Sequence, residues 1–215
     1  NFELAMGLYR YLAERFPDSP LATRTILLMG YAQQDRGDSF AALNTFQRFE
    51  RLKPESKFFD QVKISEAEAY LNLKKFDEAY KILDDVEKTA KTRKDSFEAA
   101  FRKGDIYFED RDYPAAIAKY REAIKKYPEA AGEYPNAFFN TAEALYWKQD
   151  YRQALNAYRE FLQRFPDNKY GGYAMTRLGE SLEILGADPK RSMGAYLEAY
   201  FRYRDTPGAA VARVR

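Results

Sequence analysis

A small residue recurs along this chain with nearly constant spacing and constant company. Ala5, Ala42, Ala79, Ala116 and Ala154 are separated by 37, 37, 37 and 38 residues. Four residues after each stands a large apolar side chain: Tyr9, Phe46, Leu83, Tyr120 and Tyr158. Seven after stand Leu12, Phe49, Val86, Ala123 and Phe161. Twelve after stand Pro17, Pro54, Pro128 and Pro166, with Lys91 the exception. Twelve before the second to fifth alanines stand Gly30, Ala67, Gly104 and Ala142, and Gly179 continues that series. A period of this size means stacked supersecondary units, not one globular core. Such arrays usually bind and rarely catalyse.

The offsets 0, +4 and +7 mark one face of a helix. Ala154 to Leu162, Ala-Leu-Asn-Ala-Tyr-Arg-Glu-Phe-Leu, shows this most clearly. Alanine at the first position lets two helix axes approach closely. The proline cannot continue the helix. An Asp in the turns Gly37-Asp38, Arg111-Asp112 and Gln149-Asp150 can accept from free N–H groups at the next helix start. The pattern predicts helix pairs near 20–36 with 39–53, 57–74 with 76–92, 95–110 with 113–127, 135–149 with 151–165, and 170–186 with 190–203. A lone second helix near 2–16 precedes them. Asn1-Phe2 occupies the place of the turn before a second helix, and Pro207 opens another helix. The chain is therefore expected to be a segment of a longer protein.

Composition removes several function classes. Net charge is +2, from 35 basic and 33 acidic residues, which gives no electrostatic footprint for nucleic acid or an anionic membrane. No apolar run is long enough to span a bilayer. Without His the commonest general base is missing, and without Cys or His the usual zinc sites are missing. No Asp-x-Asn-x-Asp-Gly loop and no phosphate-cradling loop is present. Gly171-Gly172 reads as a short turn, not a ligand loop. Asp84-Asp85, Glu109-Asp110, Glu66 and Glu68 read as solubilising charge. Lys119, Arg121, Lys125 and Lys126 read as a solvated face beside a buried Tyr120. No catalytic residue, metal or cofactor is expected.

The repeat resembles the tetratricopeptide repeat family. Gly104, Tyr107, Ala116, Tyr120 and Pro128 follow its signature in one copy. The resemblance implies an all-α, right-handed superhelical array of antiparallel helix pairs, about five and a half repeats. The segments are 1–18 (a second helix), repeats 19–55, 56–93, 94–129, 130–167 and 168–206, and 207–215 (the start of a further helix). The family's period is about 34, so the extra residues are expected to lengthen each first helix by nearly a turn. The family's Leu before the Gly is replaced by Glu66 and Lys103, whose stems are expected to pack loosely or snorkel. Arg15-Phe16-Pro17-Asp18-Ser19-Pro20 and Arg164-Phe165-Pro166-Asp167-Asn168 resemble junctions of bacterial envelope arrays. These are of the outer-membrane β-barrel assembly lipoprotein and periplasmic cell-division coordinator type. That implies a periplasmic or cell-envelope location, with the cytoplasm as the alternative.

In this family first-helix side chains line the concave face. The resemblance therefore implies a groove lined by Tyr31, Glu68, Phe101, Arg102, Asp105, Phe139, Asn140, Glu143, Tyr146, Arg177 and Glu180. The carboxylates at Glu68, Asp105, Glu143 and Glu180 favour a protein or peptide carrying Lys or Arg between apolar side chains; the alternative is that they are merely solvated. The lysines with which some family members clamp a C-terminal carboxylate are missing, so that activity is not carried over. The expected role is a non-enzymatic interaction scaffold. The alternatives are a spacer that self-associates through uncapped end repeats, and an accessory domain of an enzyme whose catalytic part lies elsewhere. No nucleic-acid partner and no direct membrane insertion is expected.

Overall fold

A computed structural model describes residues 2–16, 19–204 and 206–214. Among them every regular element is helical. The elements are α1 (Phe2–Arg15), α2 (Pro20–Asp35), α3 (Ser39–Leu52), α4 (Phe59–Asn72), α5 (Phe76–Thr89), α6 (Arg93–Glu109), α7 (Tyr113–Lys126), α8 (Pro135–Trp147), α9 (Tyr151–Arg164), α10 (Gly171–Ile184), α11 (Pro189–Arg202) and α12 (Pro207–Ala212), with a 3₁₀ turn at Ala131–Glu133. The fold is an all-α solenoid of antiparallel helix pairs. The chain forms two compact units, residues 1–106 and 107–215.

Local chemistry sets the ends of each helix. Asp38, Asp112 and Asp150 accept from Ala41 N, Ala115 N and Gln153 N at 3.0, 3.1 and 3.2 Å. Ser19 caps α2 through Leu21 N at 3.2 Å. Lys53, Tyr127 and Phe165, each followed by proline, leave the helical region at φ near −130°. Pro17, Asp18 and Asn1 lie outside the described residues. The turns inside the pairs share a left-handed residue: Gly37, Lys74, Arg111, Gln149 and Gly186, with φ between 59° and 81°. These recur at the repeat spacing although only two are glycine.

The periodic stripe is the core. In the first unit Ala42, Phe46 and Phe49 are fully buried and pack with Ile26 and Val62. Ala79, Leu83 and Val86 pack with Ile64 and Ala67. In the second unit Ala116, Tyr120, Ala154, Tyr158 and Phe161 are fully buried. Close approach demands the small partners: a Cβ at Gly30 would collide with the Phe46 ring, and one at Gly179 with Tyr196. Gly171 and Gly172 stand in the first turn of α10 for the same reason, against Tyr203 and Thr206.

The extra residues do not lengthen every first helix. α2 and α6 have 16 and 17 residues, but α4, α8 and α10 have 14, 13 and 14. In the latter cases the surplus lies in the connections at 53–58, 127–134 and 165–170. α6 is long because only residues 90–92 separate it from α5.

Candidate functional site

The first-helix face is built from positions −2 and +1 relative to the small residue. In the first unit, Ser65 Oγ in α4 donates to Tyr31 Oη in α2 at 3.5 Å, and Gln34 Nε2 donates to Ser65 O at 3.2 Å. Arg102 in α6 lies 3.7 Å from Glu68 in α4 and 3.5 Å from Glu98. Burial alone would lower the Arg102 pKa, but Glu68, Asp105 and Glu98 outweigh it and hold the guanidinium charged. Burial raises the Tyr31 phenol.

The second unit has a denser version. Arg177 in α10 bonds Glu180 at 2.7 Å and lies 3.5 Å from Glu143 in α8. Tyr158 donates to Glu143 Oε1 at 2.5 Å, Trp147 donates to Oε2 at 3.3 Å, and Tyr146 donates to Glu180 at 3.1 Å. The guanidinium also lies over the rings of Tyr146 and Trp147, at 4.5 and 5.1 Å. Burial would lower the Arg177 pKa; the bond to Glu180 and the charge of Glu143 reverse that and raise it. Tyr158 is raised, first by burial and then by the Glu143 charge.

The expected groove residues thus divide. Tyr31, Glu68, Arg102 and Asp105 in one unit, and Asn140, Glu143, Tyr146 and Arg177 in the other, are half-buried on the first-helix face. Phe101 is not on it. At 2% exposed it packs in the interior, as do Leu27, Ile64 and Thr176 at the same −3 offset. Glu180 is buried too, at 5%, under its ion pair. Phe139 is intermediate, stacked on Tyr170 at 4.8 Å. Asn140 donates to Tyr120 Oη at 3.0 Å. The carboxylates are engaged: Glu143 and Glu180 both meet Arg177, and Glu68, Glu98 and Asp105 surround Arg102.

Position −1 also carries chemistry that the sequence pattern hid. Lys103 and Glu66, where loose packing or snorkelling stems are expected, are both buried. Lys103 Nζ bonds Glu87 at 2.5 Å and Asp84 at 2.9 Å. Burial would depress the ammonium, but these carboxylates raise its pKa. Lys88 and then Lys103 hold Asp84 down to about 2. Glu66 accepts from Gln47 Nε2 at 3.1 Å and faces Glu50. Burial first, then the bond to Glu66, pushes Glu50 up to about 8, so the pair holds one proton near neutrality. Glu50 Oε1 is buried and has no hydrogen-bond partner among the described residues. No signal short of the helix packing itself could have paired Lys103 with residues 16 and 19 positions earlier.

These paired helices, joined by small-residue contacts, define a helical-repeat protein. Models of the tetratricopeptide repeat match residues 64–131 and 136–168. Tetratricopeptide repeats are therefore present over these residues. No curated protein is significantly similar in sequence. Solved structures share the fold. PilW, a widely conserved type IV pilus biogenesis factor, is 12% identical, with 99% of this chain and 90% of that one covered and a TM-score of 0.77. BtubC (BKLC) from P. vanneervenii is 14% identical over 94% of this chain and 88% of that one, at 0.72. YrrB, a TPR protein with an unusual peptide-binding site, is 11% identical over 96% and 98%, at 0.60. At these identities the likeness is one of fold alone. Among the described residues no helix is long and apolar enough to cross a membrane.

Proposed function

We propose that this chain is a non-catalytic scaffold that binds a protein segment along its first-helix faces. The repeat type carries the reading, since tetratricopeptide repeats commonly serve protein–protein contact. YrrB, with its peptide-binding site, and PilW, a pilus biogenesis factor, support it by fold. The Arg-Phe-Pro-Asp junctions and the likeness to PilW favour a role in a bacterial envelope or surface machine. The ligand chemistry follows from the acids that recur on this face: Glu68, Asp105, Glu143 and Glu180 favour Lys or Arg between apolar side chains. A cation added at the solvent edge of such a face contributes about 1 kcal/mol or less. Aromatic contact, with Phe139 and Tyr146 at the edge of the face, supplies the larger share.

The test uses Trp147, the single tryptophan, which touches Glu143 and lies under Arg177. An array of Lys/Arg-Leu peptides and their Glu-Leu counterparts is titrated against its fluorescence. Basic peptides should bind and should weaken with salt. Glu143→Lys and Tyr146→Ala should each reduce binding. Parent-like binding by both variants overturns the proposed face. A second reading, a self-assembling spacer, is favoured by apolar side chains left exposed on α1 (Leu4, Leu8, Tyr11) and on α11 (Leu197, Phe201). Concentration-dependent sedimentation without any peptide ligand would support that reading instead.

A further inference from the structure

A trough of about 700 Å³ runs on the second-helix side of the second unit, between α9 and α11 over α10. Its floor is apolar: Met175, Leu178 and Leu182. Leu178 occupies position −1, where the first unit places the buried polar side chains Glu66 and Lys103. Here no charged side chain takes that place, and Met175, Leu178 and Leu182 show only their outer edges to the trough, being 5–8% exposed.

One residue of the wall has no internal reason to be what it is. Gly194 lies in the middle of α11, and a Cβ there would meet nothing within 4 Å. Glycine inside a helix costs stability. Gly171 and Gly179 are required because a Cβ would strike Tyr203 or Tyr196; Gly194 is required by nothing in this chain. Its effect is to open the trough. The matching trough one repeat earlier has Asn156 at this place, next to Ala157, and a volume of about 410 Å³.

The rim is cationic. Arg159 from α9 and Arg191 and Arg202 from α11 line it, against one acid, Glu198. Glu198 is taken by Arg202 at 3.3 Å. Arg159 and Arg191 make no ion pair among the described residues.

We infer that this trough is a docking site for an acidic amphipathic helix of a partner protein. An apolar stripe would lie on Met175, Leu178 and Leu182, its backbone would approach at Gly194, and its flanking Glu or Asp would meet Arg159 and Arg191. A helix fits better than a strand because the trough offers no free backbone ladder to pair with. Walls of 14 residues each suit a guest of about four turns, roughly 20 Å long. Helix-in-groove recognition of this form is read through i, i+3 or i+4, and i+7 anchors. The inference concerns a different face from the proposed scaffold function and does not depend on it.

The experiment uses the whole chain and two capped 14-residue helical peptides with the same leucine stripe, one carrying Glu and the other Lys elsewhere. Anisotropy of a labelled peptide gives affinity, and methionine-methyl NMR gives location, since the chain has four Met residues. The Glu peptide should bind at least tenfold more tightly than the Lys peptide and should move the Met175 methyl, leaving Met6 and Met29 in place. Gly194→Leu should abolish this binding while the melting temperature holds or rises. Arg159→Glu with Arg191→Glu, both at the trough rim, should reverse the preference even if Gly194→Leu fails to fold. Equal binding of the two peptides, an unmoved Met175, or parent-like binding by Gly194→Leu overturns the proposal. Self-association of the protein alone that Gly194→Leu abolishes also overturns it, making a second copy the occupant.

Discussion

The Arg177 guanidinium in α10 lies 3.5 Å from the carboxylate of Glu143 in α8, 34 residues earlier. Arg102 and Glu68 stand in the same relation at 3.7 Å, and Tyr31 and Ser65 at 3.5 Å. Each is a rung between position +1 of one first helix and position −2 of the next. The chain counts 37 or 38 residues per repeat, but its first-helix face counts 34.

The rungs differ in burial and so in stability. Glu143 and Glu180 side chains are 12% and 6% exposed, whereas Glu68 is 41%. Arg177→Met leaves two enclosed carboxylates without their cation and should cost about 3–5 kcal/mol. Arg102→Met should cost about 1 kcal/mol or less. Urea unfolding of both variants checks this; equal losses would show that the two rungs do not differ as their burial implies.

Overpacking should be felt wherever the repeat period places a buried alanine. Ala116 and Ala154 have no exposed surface. Leucine at either should lower stability by roughly 1–3 kcal/mol. An unchanged melting temperature would contradict the close helix contact.

The left-handed turn residues predict gains. Arg111 and Gln149 sit at φ of 62° and 65°, which costs an L side chain strain that glycine avoids. Arg111→Gly and Gln149→Gly should each raise stability by roughly 0.5–1 kcal/mol, after the greater freedom of glycine in the unfolded chain is counted. Gly37→Ala should lower it. Thermal melts with opposite signs at these positions are the expected result.

The Glu50–Glu66 pair predicts a pH dependence. Glu50 titrates near 4.5 when unfolded and about 8 when folded. Its contribution is full below pH 4.5, where both states are protonated. It falls as pH rises from there to 8, because the folded state alone still holds the proton. Glu50→Gln should flatten stability between pH 5 and 8 and raise it at pH 8.5. A parallel pH profile in parent and variant would remove the pair as the cause.

The helices were legible because the core stripe repeats the same residue types: Ala42, Phe46 and Phe49 reappear as Ala154, Tyr158 and Phe161. The sixth copy was harder to see. Ser192, Tyr196 and Ala199 fill these places, so serine interrupts the alanine period at the close contact. The ion pairs of Lys103 and Arg177 were not legible, because their partners lie on other helices and charge alone does not reveal burial. The −3 offset was misassigned at Phe101 because one residue of helical phase, about 100°, separates the interior from the first-helix face.

The 34-residue rungs also restrict how repeats can be exchanged. A repeat moved within this chain, or borrowed from another, carries half of two rungs with it. Setting the α8–α9 repeat directly after α5 would place Asn140 where Arg102 stands, leaving Glu68 facing an amide instead of a guanidinium. The small-residue stripe would accept such a graft without change; the first-helix face would need its −2 and +1 positions rewritten at both seams. Interchangeable packing and non-interchangeable wiring coexist in the same 37 residues, so a spliced array of these repeats would keep its fold more readily than its surface.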